Sequence, residues 1–313
     1  MRLPILIAPL LASSLAAADL KLGIIGLDTS HVTAFTEVLN NPSNRDHVPG
    51  ARVVAGFRGG SPDVESSHTR IDKFTETLRT KHGIEIVDSI PALLAKVDAV
   101  LLESVDGRKH LEQARQVLAA RKRIFIDKPL ASTYADAKEI ARLARQHDTP
   151  WFSSSSLRYG SQAEELRGLK VLGAYTWGPA SLEPHHQLDL SWYGIHAVEL
   201  LYTLMGTGCE SVTRTSTEGA DVVVGRWKDG RIGVVRGERQ SRGEYGAVVY
   251  APKEIRSAGQ ARGAAYAKLL AEVVKFFQTG VPPVPNQETL EIFAFMDAAQ
   301  RSKEAGGGVM RLQ

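Results

Sequence analysis

Lys128 follows an apolar run, Arg123-Ile124-Phe125-Ile126-Asp127, that reads as a buried strand, and Pro129 comes directly after it. An ammonium at the carboxyl end of such a strand sits where α/β sheets bind ligands, and the proline limits backbone freedom beside it. A positive charge held there can stabilise negative charge on a bound ligand. His196 is the second candidate. It lies early in an apolar helix expected over Ser191–Leu204, just after Gly194. A neutral imidazole suits proton transfer near pH 7. Glu199 is one turn further on the same face, placed to orient the ring or to pair with a basic residue.

A third group is the turn Gly26-Leu27-Asp28-Thr29-Ser30-His31, between a strand and a helix. It begins like a dinucleotide-binding G-x-G-x-x-G loop, but Asp28 and His31 stand at the second and third glycine positions. Asp28 either repels a pyrophosphate or caps the helix. Thr29 and Ser30 offer hydroxyl donors to a phosphate, and His31 offers a donor at the helix N-terminus. A retained dinucleotide site and a degenerate, empty one are both compatible with these residues. The second strand ends Phe57-Arg58-Gly59-Gly60-Ser61, without the acidic residue that would hold a ribose 2′-OH. Arginine there accommodates a 2′-phosphate, so NADP(H) is expected ahead of NAD(H).

Further downstream, Glu183-Pro184-His185-His186-Gln187-Leu188-Asp189 gathers two histidines and two acids. Such donors suit zinc and similar ions, but adjacent histidines on extended chain point to opposite faces. A substrate-contacting loop over Lys128 is expected there, through His185 and His186, and no metal site. Arg158 and Tyr159 follow the last strand of the first half and are placed to face the same cleft. Trp192 and Tyr193 are expected to contact substrate, the indole serving as a platform for the apolar face of a sugar ring.

Elements that could position these groups alternate through the first half. Strands are expected at Leu20–Gly26, Arg52–Phe57, Asp98–Glu103, Arg123–Asp127 and Pro150–Ser154. Helices are expected at His31–Asn40, Thr69–His82, Ser89–Val97, His110–Ala120 and Thr133–His147. That alternation means βαβ units and a parallel sheet. The second half has a strand at Leu172–Trp177, the helix carrying His196, then four strands without intervening helices, from Ser211 to Tyr250. Two helices, Gly263–Thr279 and Gln287–Ala305, and a short strand near Val309–Leu312 close the chain. The expected fold is α/β: an N-terminal Rossmann-type doubly wound parallel sheet (19–155), plus a C-terminal α+β domain (156–313) with an open, mainly antiparallel sheet.

Three segments in order resemble the glucose–fructose oxidoreductase/inositol dehydrogenase (Gfo/Idh/MocA) family: the turn after Gly23-Ile24-Ile25-Gly26, the tripeptide Asp127-Lys128-Pro129, and Trp192-Tyr193-Gly194-Ile195-His196-Ala197-Val198-Glu199. The resemblance implies a nicotinamide cofactor, NADP or NAD, and hydride transfer to or from sugars and polyols. It implies that Lys128 lies near the nicotinamide and that His196 is the acid/base. It places Asp106 and His110 in the loop that contacts the cofactor, and it implies a homo-oligomer built through the second sheet. Trp192 departs from the family pattern, which has Asp there. That departure and the altered glycine loop keep two alternatives open: a redox-neutral or cofactor-free lyase, epimerase or hydrolase, and a non-catalytic carbohydrate-binding protein.

Composition narrows the rest. The chain has 313 residues, 43% of them hydrophobic and 23% charged, which excludes collagen-like, coiled-coil and disordered classes. A formal net charge of +3 with scattered Lys and Arg gives no nucleic-acid footprint. One cysteine, Cys209, allows no internal disulfide. Met1-Arg2, an apolar run to Leu11 and Ala16-Ala17-Ala18 follow the pattern of a secretory signal peptide over residues 1–18, so a periplasmic or secreted protein is expected. No other segment approaches a membrane span.

Overall fold

The computed structural model describes residues 18–241, 243–259 and 265–313. The expected signal peptide, apart from Ala18, lies outside the described residues. The first sheet contains β1 (Leu20–Ile25), β2 (Ala51–Phe57), β3 (Glu85–Val87), β4 (Ala99–Leu102), β5 (Arg123–Ile126) and β6 (Trp151–Ser153). Its order is β3-β2-β1-β4-β5-β6, and every pairing is parallel. β4 is buried along its whole length, and β1 and β5 along most of theirs, because helices cover both faces.

The helices are α1 (Ser30–Asn40), α2 (Glu65–His68), α3 (Ile71–Lys81), α4 (Ile90–Leu94), α5 (His110–Ala119), α6 (Tyr134–Gln146), α7 (Ser161–Leu166), α8 (Ile195–Met205), α9 (Tyr266–Thr279) and α10 (Asn286–Glu304). α4, α5 and α6 pack on one face of the sheet; α1, α3 and α9 pack on the other. Local chemistry sets several starts. Ser89 accepts from the Ala92 N–H at the head of α4, and Thr133 accepts from Asp136 at the head of α6. The strand order reverses between β1 and β4, so the ligand crevice opens at the carboxyl ends of these strands.

The second sheet contains β7 (Gly173–Pro179), β8 (Cys209–Ser216), β9 (Ala220–Trp227), β10 (Ile232–Glu238), β11 (Gly246–Ala251), β12 (Glu254–Ala258) and β13 (Met310–Arg311). Its order is β12-β11-β7-β10-β9-β8-β13. Only β7 and β10 pair in parallel; the other pairings are antiparallel. α8 and α10 pack against this sheet, and Cys209 is buried in its core, its thiol pushed up to about 12 by burial.

The fold class is as expected, with differences in detail. β3, β12, α2 and α7 are additional elements, each six residues or fewer and too short for a clear hydrophobic period. The helix expected from Ser191 starts at Ile195, behind a 3₁₀ turn over Asp189–Ser191. α9 follows the second sheet in sequence but buries Leu269, Leu270, Val273, Phe276 and Phe277 in the core of the first. The chain therefore returns across the domain boundary.

Gly26 ends β1 at φ +85°, and a Cβ there would lie 2.2 Å from Ser104 Oγ and 2.4 Å from Ser104 N. The loops after β1 and β4 touch backbone to backbone at this point. Gly26→Ala should therefore cost about 2 kcal/mol or more, combining the left-handed penalty with the overlap. Urea unfolding checks this, and a loss under about 0.5 kcal/mol, the range of an innocuous surface change, would contradict it.

Candidate active site

Between the two domains lies a cleft of about 450 Å³. Thr29, Ser30 and His31, from the start of α1, form one wall. Lys128 stands on the floor; Trp192, Tyr193 and His196 close the cleft from the second domain, with Tyr245 and Tyr266 beside them. Ser66 and Arg70 line it as well. A larger open depression of about 640 Å³ lies on the second domain, but its cations Arg214, Arg239 and Lys303 are already paired with Asp189 and Asp221. The interdomain cleft holds the groups with chemistry to offer.

Lys128 Nζ lies 5.3 Å from the centre of the Tyr193 ring. Among the described residues it makes no ion pair, because Asp127 is engaged elsewhere. His196 presents its ring to the same space. Its Nδ1 is 2.7 Å from Ser155 Oγ, and the Tyr245 ring stands edge-on to it at 5.4 Å. Burial, reinforced by the Lys128 charge, holds the His196 imidazole well below its ordinary pKa, so the ring is neutral near pH 7. Lys128 and His196, taken from motifs in different domains, do meet in one cleft.

Glu199 does not touch the imidazole directly. Its carboxylate accepts from Ser154 Oγ, the Ser155 N–H and Arg158 Nε, at 2.8, 2.8 and 2.9 Å, and Ser155 in turn reaches His196. The expectation that Arg158 faces the cleft is therefore corrected. The guanidinium is buried between Glu199 and Glu288, because a charge at that depth needs carboxylate partners. Tyr159 likewise lies outside the cleft lining, and burial pushes its phenol up to about 12.

The phosphate loop also differs from its sequence reading. Thr29 is the N-cap of α1, and Asp28 is not. Asp28 is fully buried and turned away from the cleft, accepting from Ser67 Oγ at 2.6 Å and the Val105 N–H at 3.0 Å. It ties the loops after β1 and β4 to α2, and burial raises its pKa. Its carboxylate thus does not stand in the path of a pyrophosphate. Arg58 pairs with Asp72 on the surface and borders a separate hollow of about 200 Å³. The arginine that reaches the cleft is Arg70, which its sequence context did not mark.

Asp106 accepts from Ser61 at 2.6 Å, from Arg108, and from His186 Nε2 at 3.0 Å. Burial alone would raise its pKa, but these donors outweigh it and hold the carboxyl far below the usual range. With the Arg108–Asp63 pair, Asp106 bridges the loops after β2 and β4. His110 is buried, its ring nitrogens 2.7 Å from the Ser104 carbonyl and 3.2 Å from that of Leu130. Asp106 and His110 are thus braces behind the loop and do not line the cleft. Neither of the adjacent histidines lines the cleft. His186 is buried behind Trp192, edge-on at 5.1 Å, and His185 pairs with Glu183 near the surface.

Glu103 and Asp127 end β4 and β5 side by side beneath the cleft. Asp127 Oδ2 is 2.6 Å from His31 Nδ1. Glu103 is fully buried, neither of its oxygens has a hydrogen-bond donor among the described residues, and burial with the neighbouring Asp127 charge raises its pKa well above normal. The acid closing the apolar run Ala99–Leu102 was the available sequence signal. Tyr245 and Tyr266 carried none.

Residues 20–153 match the model of the Gfo/Idh/MocA oxidoreductase family, described by its NAD-binding Rossmann fold. The match spans the first domain, which is thus similar to a domain family whose fold binds NAD. No curated protein sequence matches it. Three solved structures share the two-domain fold over nearly their whole length. A probable dehydrogenase from Thermotoga maritima is 20% identical, with 94% of this chain and 99% of that one covered and a TM-score of 0.75. A myo-inositol 2-dehydrogenase from Lactobacillus plantarum is 16% identical, with 95% and 100% covered and a TM-score of 0.77. A myo-inositol dehydrogenase from Lactobacillus casei, in complex with NAD(H) and myo-inositol, is 18% identical, with 95% and 97% covered and a TM-score of 0.73. At these identities the likeness is one of fold.

The buried histidines give a pH test. Burial lowers the pKa of His110 below its value in the unfolded chain, so the unfolded state binds more protons in the window just below pH 6.5. The stability this neutral ring contributes is complete above that window and is lost as pH falls through it. Glu103, Glu199 and Asp28, with raised pKa values, act in the opposite sense, so a variant comparison isolates the histidine. His110→Gln should destabilise the protein more at pH 7.5 than at pH 5.5 in urea unfolding. A gap that stays constant or widens on acidification would contradict a buried neutral His110.

Proposed function

We propose that this protein oxidises or reduces a CH–OH group of a sugar or polyol with NAD(H), using the cleft between its domains. The observation that carries the reading is the meeting of Lys128 and His196 at the carboxyl edge of a Rossmann sheet. The residues fit the cofactor: the start of α1 faces the cleft with Thr29 and Ser30, and the one carboxylate of the loop, Asp28, is turned away. The N–H groups at the head of α1 and the Thr29 and Ser30 hydroxyls would hold the pyrophosphate, with Ser66 and Arg70 toward the adenosine end. NADP(H) has less support than NAD(H), since Arg58 lies outside the cleft. Bound there, the nicotinamide supplies the hydride acceptor or donor.

The chain's own groups do the proton work. Neutral His196, held through Nδ1 by Ser155, uses Nε2 to take the hydroxyl proton as a general base. Lys128, which makes no ion pair among the described residues, stabilises the negative charge that develops on that oxygen. Trp192, Tyr193 and Tyr245 offer ring faces and edges to the C–H surface of a sugar. Export after cleavage between Ala18 and Asp19 belongs to the same proposal, and N-terminal sequencing of the mature protein tests it.

Native mass spectrometry should find one dinucleotide per chain after incubation with NAD(H). With a polyol or sugar found by screening for NADH formation, Lys128→Ala and His196→Ala should each lower kcat/KM by roughly 100-fold or more. The double variant should lose less than the product of the two, because the groups act as a unit. Full activity in either single variant would contradict the assignment and favour redox-neutral chemistry or simple carbohydrate binding.

A further inference from the structure

The hydride-transfer reading leaves Glu103, Asp127 and His31 without a part. Leu102 and Ile126 are register partners in β4 and β5, so the next residues, Glu103 and Asp127, emerge side by side at the sheet's carboxyl edge. His31 reaches them from the first turn of α1. Its Nδ1 lies 2.6 Å from Asp127 Oδ2 and 3.9 Å from Glu103 Oε2. One ligand atom from each residue falls within 4.8 Å of the other two. Donors on a single ion with bonds of about 2.0–2.2 Å stand at most about 4.4 Å apart, and the His31–Asp127 and His31–Glu103 separations fall inside that limit.

Glu103 turns this from a cluster into a site. It is completely buried, both its oxygens lack a hydrogen-bond donor, and it points at its two neighbours. A buried carboxylate needs a cation or a set of donors, and among the described residues none donates to Glu103. The nearest ammonium, that of Lys128, lies over Tyr193. His31 lines the cleft, so the coordination sphere opens on the substrate side. We propose that His31, Glu103 and Asp127 bind one divalent transition-metal ion, of the zinc or manganese class, in the floor of the cleft. Imidazole with two carboxylates is a donor set for such ions, and three protein ligands leave room for a substrate oxygen or water. The ion replaces the proton that His31 now shares with Asp127. It lies apart from the His185–His186 segment, where the sequence reading considered a metal. His31 and Asp28 occupy positions that glycines hold in the dinucleotide fingerprint, yet Asp28 braces the loop and His31 is left to bind the ion.

The test uses the full chain, stripped with a chelator and free of substrate and dinucleotide, so its outcome is independent of the oxidoreductase reading. Zn²⁺, Mn²⁺ and, as a spectroscopic probe, Co²⁺ are titrated in turn, with calorimetry and Tm as readouts. One ion per chain should bind, with a Tm rise of roughly several degrees at saturating metal. Bound Co²⁺ should show visible absorption of a low-symmetry nitrogen–oxygen site. Glu103→Gln, which keeps the side chain's shape, and His31→Gln should each weaken binding by about tenfold or more and change the Co²⁺ spectrum. Absence of binding by all three ions would overturn the proposal and leave a protonated Glu103 donating to Asp127. Binding of equal strength and spectrum in both variants would overturn it too, placing the ion elsewhere.

Discussion

The Glu199 carboxylate is the joint on which the site depends. It sits on α8 of the second domain but takes its hydrogen bonds from Ser154 and Ser155, immediately after β6 of the first, and from buried Arg158. A carboxylate at this depth is tolerable because Arg158 and two further donors, Ser154 Oγ and the Ser155 N–H, surround it. The arrangement fixes the entry angle of α8 onto the Rossmann edge. It also fixes Ser155, whose hydroxyl orients His196. Without this joint the imidazole would have no reason to face Lys128.

A second layer of buried polar contacts shapes the opposite wall. Asp28 holds Ser67 and the Val105 N–H, while Asp106 holds Ser61, Arg108 and His186. These bonds connect the loops after β1, β2 and β4 beyond the few backbone bonds, such as Leu27 N–H to Arg58 C=O, that continue the sheet into them. Where many Rossmann domains use glycines to bring backbone close to a pyrophosphate, this chain uses a carboxylate to lock the loop from behind. Its two donors offset only part of the cost of burying Asp28, so its pKa stays raised, and the N-terminus of α1 stays open to the cleft.

Much of this was legible in the sequence, and the exceptions have a common cause. Apolar runs such as Ala99–Leu102 and amphipathic segments such as Tyr134–Gln146 are local signals, so the alternating architecture followed from them. Lys128 and His196 could be placed because each stands at a defined point of its element, a strand end and a first helical turn. Arg58, Arg158, Asp106, His110 and His186 are polar residues near the ends of the right strands, yet none lines the cleft. Arg58 and Arg158 turn toward Asp72 and Glu288, 14 and 130 residues away, and Asp106 and His186 are joined across 80 residues, choices that leave no local trace. The return of α9 to the first sheet is equally nonlocal. Its apolar face marks it as buried without saying against which core.

The account rests on one cleft serving both cofactor and acid/base group. A crystal structure of the protein with NADH tests that most directly. The nicotinamide ring should lie between Lys128 Nζ and His196, with the pyrophosphate over the N-terminus of α1 at Thr29 and Ser30. A dinucleotide bound elsewhere, for example in the depression beside Arg214 and Lys303, would contradict the account, as would a cleft that stays free of it at saturating concentration.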